Sequence, residues 1–298
     1  MTLEQLRIFL EVAELQHVTR AAERLNLTQS AVSASIAALE ARHQVKLFDR
    51  VGRRIELTEA GRLFVPEARA TLGRAEAAEL VLADLSGQTI GEVRIHASQT
   101  VASYWLPPRL VRLHGLYPRI DISLTVGNTA QVARAVSEGS ADLGVVEGAV
   151  HLAELEKWVV GRDRLVLVVG KDHPWARRES VPPADYAGSD WVLREIGSGT
   201  RAEFEDLLAG LGIAMADLPV LLEFPSNEAV LAAVEAGSIA TVLSDRAAVP
   251  ALSAGRVVTV GPAVRDREFV ALRNRGRYHT RAATALLDLL RESAADSV

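Results

Sequence analysis

The chain has 298 residues, is 49% apolar and carries 33 Lys/Arg against 38 Asp/Glu, a net charge of −5. That is enough apolar chain for two or three packed domains, which excludes a disordered tail. No apolar run approaches the ~18 residues needed to span a bilayer, the start MTLEQLRIFL is acidic where a secretory leader is basic, and there is no cysteine for disulfides, thiolate metal sites or nucleophilic catalysis, so a cytoplasmic protein without metal or cofactor is expected.

The charge is unevenly placed. Residues 1–65 hold nine Lys/Arg against eight Asp/Glu, and the rest of the chain holds 24 against 30, so the N-terminal block is the less acidic part. Its positive residues gather between Arg42 and Arg62, a local patch suited to nucleic acid on an otherwise acidic protein.

Thr2 and Gln5 read as a capping box, and Leu6, Phe9, Leu10 and Ala13 recur at helical spacing, predicting a helix over Leu3–Leu15. Thr19 is expected to cap a second helix, RAAERL, and Thr28 a third after a turn at Asn26 and Leu27. Two short helices joined by a tight turn form a helix-turn-helix. On the third, Val32, Ile36 and Leu39 share one side, while Gln29, Ser30, Ser33 and Ala34 present a short, close-fitting face. Such a face suits a DNA major groove, where Gln pairs with adenine, hydroxyls serve as donor or acceptor, and Ala methyls meet thymine methyls; Thr28 and the helix N-terminus suit a phosphate. The plainer alternative is a small-residue helix packed on a neighbour. VKLF and RIEL then alternate as strands around DRVGRR, whose Gly52 permits a tight turn, so Arg53 and Arg54 lie at the tip of a basic wing or in a solvated loop.

From Thr58, an expected N-cap, a long helix carries Ala68, Leu72, Ala75, Glu79, Leu82 and Leu85 in a narrow seam suited to a paired helix, with Pro66 near its start and Gly87 beyond its end. The alternative is a helix packed on its own domain.

After Gly91, EVRIHAS, IDISLTV, DLGVVE, RLVLVVG, DWVLRE, PVLLEF, SIATVLS and RVVTV read as strands, with helices near 101–116, 129–138, 201–211, 227–236 and 281–292. The alternation predicts an α/β fold with mainly parallel sheets, whose ligands sit where strands end and helices begin. Polar residues recur at four such junctions: Ser98, Gln99 and Thr100; Asn128 and Thr129; Gly197, Ser198, Gly199, Thr200 and Arg201; and Ser226, Asn227 and Glu228. Each also suits an N-cap. The GSGTR stretch combines glycines that let backbone N–H groups approach a ligand, two hydroxyls, a positive charge and a following helix, which favours a small anion. Glu147, ending DLGVVE, would receive a donor or repel a second negative charge. Arg194 is expected to point away if its strand continues to Glu195. GSGTRA also fits GxGxxA, with Glu223 ending the next strand, so a dinucleotide-binding enzyme fused to a DNA-binding domain is the alternative function; no GxSxG elbow or Walker loop accompanies it.

TRAAERLNLTQSAVSASIAALE, followed by VKLFDR and LTEAGRLF, closely resembles the N-terminal domain of LysR-type transcriptional regulators. The resemblance implies a winged helix-turn-helix over residues 1–58, a dimerising linker helix over 59–90, and over 91–298 an effector domain like periplasmic binding proteins. Its first lobe would cover about 91–161 and 267–298 and its second about 162–266. Carried over, the DNA-reading residues are Gln29, Ser30, Ser33 and Ala34, with Thr28 on phosphate and Arg53 and Arg54 in the wing. Many members have Arg or Lys at the position of Ala34, so DNA shape carries more of the specificity here. The effector would lie between lobes, with Ser98, Thr100, Asn128, Thr129 and Glu147 facing Gly197–Arg201. Implied partners are an interrupted inverted repeat of promoter DNA, a small anionic effector, RNA polymerase, and further copies as a dimer assembling to a homotetramer, with no membrane. REIGSGTR together with QSAVSASI looks like the branch responding to sulfur oxyanions such as sulfite, and the carbon-fixation regulators share GSGTR.

Overall fold

The computed structural model describes residues 1–51, 54–85 and 91–295. The chain divides into two compact units, Met1–Gly87 with Glu138–Ser140, and the remainder.

In the first unit, α1 (Leu3–Leu15) opens with the expected capping box: the Gln5 N–H donates to Thr2 Oγ1 at 3.2 Å and the Thr2 N–H to Gln5 Oε1 at 3.0 Å. Helix α2 (Val18–Arg24) starts ahead of the predicted Thr19, because His17 Nδ1 accepts the Arg20 N–H and takes the capping role. Helix α3 (Gln29–His43) is capped by Thr28, as its position before the apolar stripe predicts. Val32, Ile36 and Leu39 join Leu6, Phe9, Val12 and Ala21 in one core, with Leu10 and Leu25 packed against it. The hairpin strands are β1 (Phe48–Val51) and β2 (Arg54–Leu57), so VKLF is not a strand throughout. The Leu47 and Phe48 N–H groups turn to the Glu40 carboxylate of α3 rather than to a ladder.

Helix α4 (Glu59–Leu85) begins at Thr58, whose hydroxyl accepts the Gly61 N–H at 2.9 Å, and contains Pro66. Its predicted seam is divided. Ala68 and Leu72 are buried in the first unit's own core, together with Phe64 and Val65 at its margin, while Leu82 is exposed. An apolar seam on a helix that also borders a three-helix core serves that core first, since burying each side chain is worth roughly 1.5–3 kcal/mol. Gly87, expected just beyond the helix end, lies outside the described residues.

The second unit contains β3 (Gly91–Ser98), α5 (Gln99–Tyr104), α6 (Pro107–Leu116), β4 (Ile120–Gly127), α7 (Thr129–Glu138), β5 (Leu143–Glu147), β6 (Leu155–Gly170), β7 (Asp190–Arg194), α8 (Gly199–Gly210), β8 (Val220–Phe224), α9 (Asn227–Ala236), β9 (Ile239–Ser244), α10 (Asp245–Ser253), β10 (Val257–Thr259), β11 (Arg265–Asn274) and α11 (Arg281–Ala295). The sheet runs β4-β3-β5-β11-β6-β9-β7-β8, with β10 also on β6. It is mixed rather than mainly parallel. β3 pairs parallel with β4 and β5, and β7 with β8 and β9, while β6 and β11 run antiparallel to each other and to their other neighbours.

Strand β11 and the first half of β6 escape the sequence patterning for one reason. RDREFVALRN opens with four charges, which reads as loop, but register sets Asp266 against Arg164, Arg267 against Asp163 and Glu268 against Arg162. Opposite charges directly across a ladder are favourable, so the strand is stable where its own sequence says otherwise. Helix α10 was hidden by Pro250, and the helix expected over 101–116 is broken at Leu106, which precedes Pro107.

The long strands β6 and β11 connect two lobes with separate cores. One packs β3, β5, α5, α6 and α11, with Trp105 edge-on to Phe269 at 5.5 Å. The other packs Trp175, Tyr186, Trp191 and Phe204 around β6, β7, β9 and α8. The strand-to-helix junctions of the two lobes meet where β6 and β11 cross from one lobe to the other.

Candidate functional site

In the first unit, the face of α3 opposite its core is open. Thr28, Gln29, Ser30, Ala34, Ala37 and Ala38 are exposed and Ser33 is half-buried. Side chains this short leave the helix axis free to approach another surface closely, as a major groove requires. Thr28 Oγ1 both caps the helix and lies 3.0 Å from Ser30 Oγ, which orients the Ser30 hydroxyl in the first turn. Arg53 lies outside the described residues with Gly52, and Arg54 opens β2.

In the second unit, the predicted junction residues converge. Ser98 ends β3, Asn128 and Thr129 start α7, Glu147 ends β5, and Gly197–Thr200 lead from β7 into α8. The Ala130 N–H donates to the Gly197 carbonyl at 3.2 Å, and Thr129 Oγ1 donates to the Glu147 carbonyl at 2.9 Å. Gly197 has φ +92°, where L side chains are strained, and a Cβ there would stand 3.2 Å from the Asn128 amide. A Cβ at Gly199 would run into the Glu147 carbonyl oxygen and stand 2.7 Å from Thr129 Oγ1. Gly199→Ala is therefore expected to hold the lobes apart. Small-angle scattering of the Gly199→Ala effector unit should show a larger radius of gyration, and an unchanged profile would contradict this close approach.

The polar groups have distinct partners. Ser98 Oγ donates to the Glu147 carboxylate, both groups being about 1% exposed. Behind them lies Arg267, fully buried, whose guanidinium pairs with both Asp163 oxygens, donates to Thr200 Oγ1 at 2.8 Å and stands 3.9 Å from Glu147. Burial opposes its charge, but the bonds to Asp163 and the field of Glu147 more than reverse this and raise its pKa. Neither Arg267 nor Asp163 was expected from sequence. Their pairing is created by register between strands about a hundred residues apart, and no local motif records it.

Several expected binding residues also have structural duties. Asn128 and Gln131 cap each other reciprocally, at 2.9 and 3.0 Å. Arg201 pairs with Glu205 at 2.6 Å and with Glu223, so its charge is already balanced and the positive group nearest Glu147 and Thr200 is Arg267. The Arg201 pairing also engages the acid that a dinucleotide fingerprint would keep free for a ribose. Ser198 differs. It precedes α8, makes no capping bond, is 2% exposed, and its hydroxyl has no hydrogen-bond partner.

Arg194 corrects an expectation. Strand β7 ends there, and its side chain turns toward α5 and α9 instead of away from them. It is 3% exposed and donates to Gln99 Oε1 at 3.1 Å and Asn227 Oδ1 at 2.9 Å. Gln99 also accepts the Asn227 N–H at 2.7 Å and donates to Glu228, which accepts from the Tyr104 hydroxyl at 2.7 Å. Asn227 Nδ2 donates to Thr100 Oγ1 at 3.2 Å. Burial, then the Glu228 carboxylate, push the Tyr104 phenol up, so it remains a donor. Helix α5 of one lobe is thereby tied to β7 and α9 of the other. Among the described residues, no group of three or more His, Cys, Asp or Glu side chains could hold a metal, and no helix is long and apolar enough to cross a membrane.

Residues 3–62 match the model for the bacterial regulatory helix-turn-helix protein, lysR family, and residues 86–295 match the LysR substrate binding domain. The HTH-type transcriptional regulator YeiE of Escherichia coli K12, itself uncharacterized, is 38% identical over 265 residues, 87% of this chain and 86% of that protein. The HTH-type transcriptional regulator CysL of Bacillus subtilis is 32% identical over 244 residues, 82% of this chain and 81% of that one. Full-length CbnR, solved in complex with its target DNA, superposes with a TM-score of 0.74 at 21% identity, over 99% of this chain and 100% of that chain, and shares the fold.

Proposed function

Because the chain belongs to the LysR family of DNA-binding transcriptional regulators, we propose that its effector is a small oxyanion bound where Ser198 meets the cleft, and that binding there changes how the protein holds promoter DNA. The protein is a regulator with an effector-binding domain, not an enzyme. The observation that carries the oxyanion reading is the orphaned Ser198 hydroxyl at the N-terminus of α8, where helix N–H groups already favour negative charge. Thr100, Thr129 and Thr200 add hydroxyls nearby, Asn128 closes on Gly197, and Glu147 with Ser98 limits the negative charge the cleft accepts. Sulfite, a compact oxyanion suited to an enclosed cleft, is the first probe to use.

The test has two readouts. A buried hydroxyl without a partner costs about 1–3 kcal/mol, so Ser198→Ala should leave the unliganded protein as stable as wild type or more so. The same change should weaken sulfite binding, measured by calorimetry, about tenfold or more, since hydrogen bonds to charged groups are worth roughly 1.5–3 kcal/mol. Equal affinity in both proteins would remove Ser198 from the site.

On DNA, Gln29, Ser30, Ser33 and Ala34 would read bases and Thr28, Arg53 and Arg54 would contact the backbone, with two copies on an interrupted inverted repeat. Among the described residues of α4, exposed Leu63 and Leu82 would pack on a partner helix, and pairing of dimers would give the tetramer. Lobe closure would alter the angle between dimers; a coupling of about 1–3 kcal/mol is enough to change promoter occupancy or contact with RNA polymerase several-fold.

A further inference from the structure

The base of the β1–β2 hairpin is held from two sides, and one residue supplies most of one side. Glu40, in the last turn of α3, is 7% exposed. Its Oε1 accepts the Leu47 N–H at 2.8 Å and the Phe48 N–H at 3.2 Å, and its Oε2 accepts from Lys46 Nζ at 2.7 Å. From the other side, the Thr58 N–H donates to the Leu47 carbonyl at 3.0 Å and Thr58 Oγ1 to the Lys46 carbonyl at 2.8 Å. The α4 backbone crosses so close that a Cβ at Gly61 would strike that Leu47 carbonyl. The Leu47 and Phe48 N–H groups thus turn to the recognition helix, while the Lys46 and Leu47 carbonyls turn to Thr58 at the start of α4.

Beyond this clamp the hairpin is two strands of four residues each, paired only with each other. A lone two-stranded hairpin is marginal in water, so its direction is set at the base. The distance from Phe48 to Val51, the end of β1, is ~10 Å, and a tilt of roughly 20° at the base moves Val51 by about 3.5 Å, more than a hydrogen bond to a phosphate tolerates. We infer that Glu40 is a positioning residue for DNA binding: it sets the angle and reach of the wing relative to the recognition helix, so that both elements engage one duplex together. This rests on the reading of the hairpin as a DNA-contacting wing.

A carboxylate suits the post because all three of its partners are donors. Burial pushes its carboxyl up, but the Lys46 ammonium and the two backbone N–H groups outweigh this and leave its pKa below the ordinary value, so it stays ionised. In Glu40→Gln one oxygen can still accept the two N–H groups, while the new amide donors confront the Lys46 ammonium. In Glu40→Ala both backbone donors lose their partner.

The experiment uses the full chain and a double-stranded oligonucleotide carrying an operator selected from random sequence by the wild-type protein. Affinity is measured by fluorescence anisotropy across a salt series for wild type, Glu40→Gln, Glu40→Ala, the Arg53→Ala/Arg54→Ala pair, and Glu40→Gln combined with that pair. All measurements are made where circular dichroism shows each protein folded. Glu40→Gln should bind several-fold more weakly, with a salt slope lower by about 1 to 2 phosphate contacts, while selecting the same bases opposite α3. Glu40→Ala should lose more. In the double-arginine background Glu40→Gln should add little, because the tip contacts it positions are already gone. A wild-type affinity and slope in folded Glu40→Gln, or full additivity with the arginine changes, would overturn the inference. Should the double-arginine variant itself keep the wild-type slope, the wing reading fails first, and the inference with it.

Discussion

Arg267→Ala is expected to destabilise the effector unit by about 3–5 kcal/mol, lowering its melting temperature by on the order of 10 °C. The guanidinium is fully buried and holds both oxygens of Asp163, itself 5% exposed, so its removal strands an unpaired carboxylate where water does not reach. Thr200 loses its donor, and Glu147 loses the nearest positive charge. The damage comes from the charge left behind rather than from the loss of a strong bond. Replacing both partners by apolar residues, as in Asp163→Leu with Arg267→Met, should therefore recover much of the stability that either single change removes. Tryptophan fluorescence reads this unit alone, because Trp105, Trp158, Trp175 and Trp191 all lie in it. A melting temperature within a degree or two of wild type for Arg267→Ala would show that the pair does not hold the junction between lobes.

The second large effect is on DNA. Ala34→Glu should weaken binding to an operator at least ~100-fold at moderate salt while changing stability by no more than about 0.5 kcal/mol. Ala34 is exposed on α3 and touches none of the buried stripe, and Glu is a good helix former, so the fold has no reason to respond. A carboxylate thrust toward base edges and phosphates meets like charge at close range, which costs several kcal/mol. Titration of a labelled duplex checks affinity, and a thermal melt followed by circular dichroism checks the fold. An affinity like wild type would move the interface off this face of α3.

The two outcomes depend on features of different legibility. The first unit could be read almost whole: Thr2, Thr28 and Thr58 cap the helices that they precede in the chain, and Val32, Ile36 and Leu39 face inward at their helical spacing. These are signals of a few residues' range, and the physics of caps and amphipathic faces acts over the same range. His17 in place of Thr19 as the α2 cap is the local exception, since either side chain can accept a backbone N–H.

In the second unit the same local signals located Ser98, Asn128, Thr129, Glu147 and the GSGTR loop, because junctions between strands and helices carry hydroxyls, amides and glycines, and the fold brings these junctions together. Sequence could not say what those groups do once folded. Arg194 ends β7 and Arg201 lies in the first turn of α8, yet Arg201 is held by Glu205 and Glu223 within its own lobe, while Arg194, paired with its neighbour Glu195, also crosses to Gln99 of the other lobe. Nor could it predict β11, whose run of four charges becomes a strand only against the complementary charges of β6.

The amino-acid sequence by itself determined the helix-turn-helix, the small-residue face of α3 and the family, since each is encoded by neighbours three or four residues apart. Only the tertiary structure decided that Ala68 and Leu72 serve the first unit's own core, that Arg267 and Asp163 lie buried across the β11–β6 ladder, and that the Ser198 hydroxyl is left without a partner. Those outcomes depend on which distant segments meet, and a charge or hydroxyl acquires its energy from the partner and the dielectric it meets there.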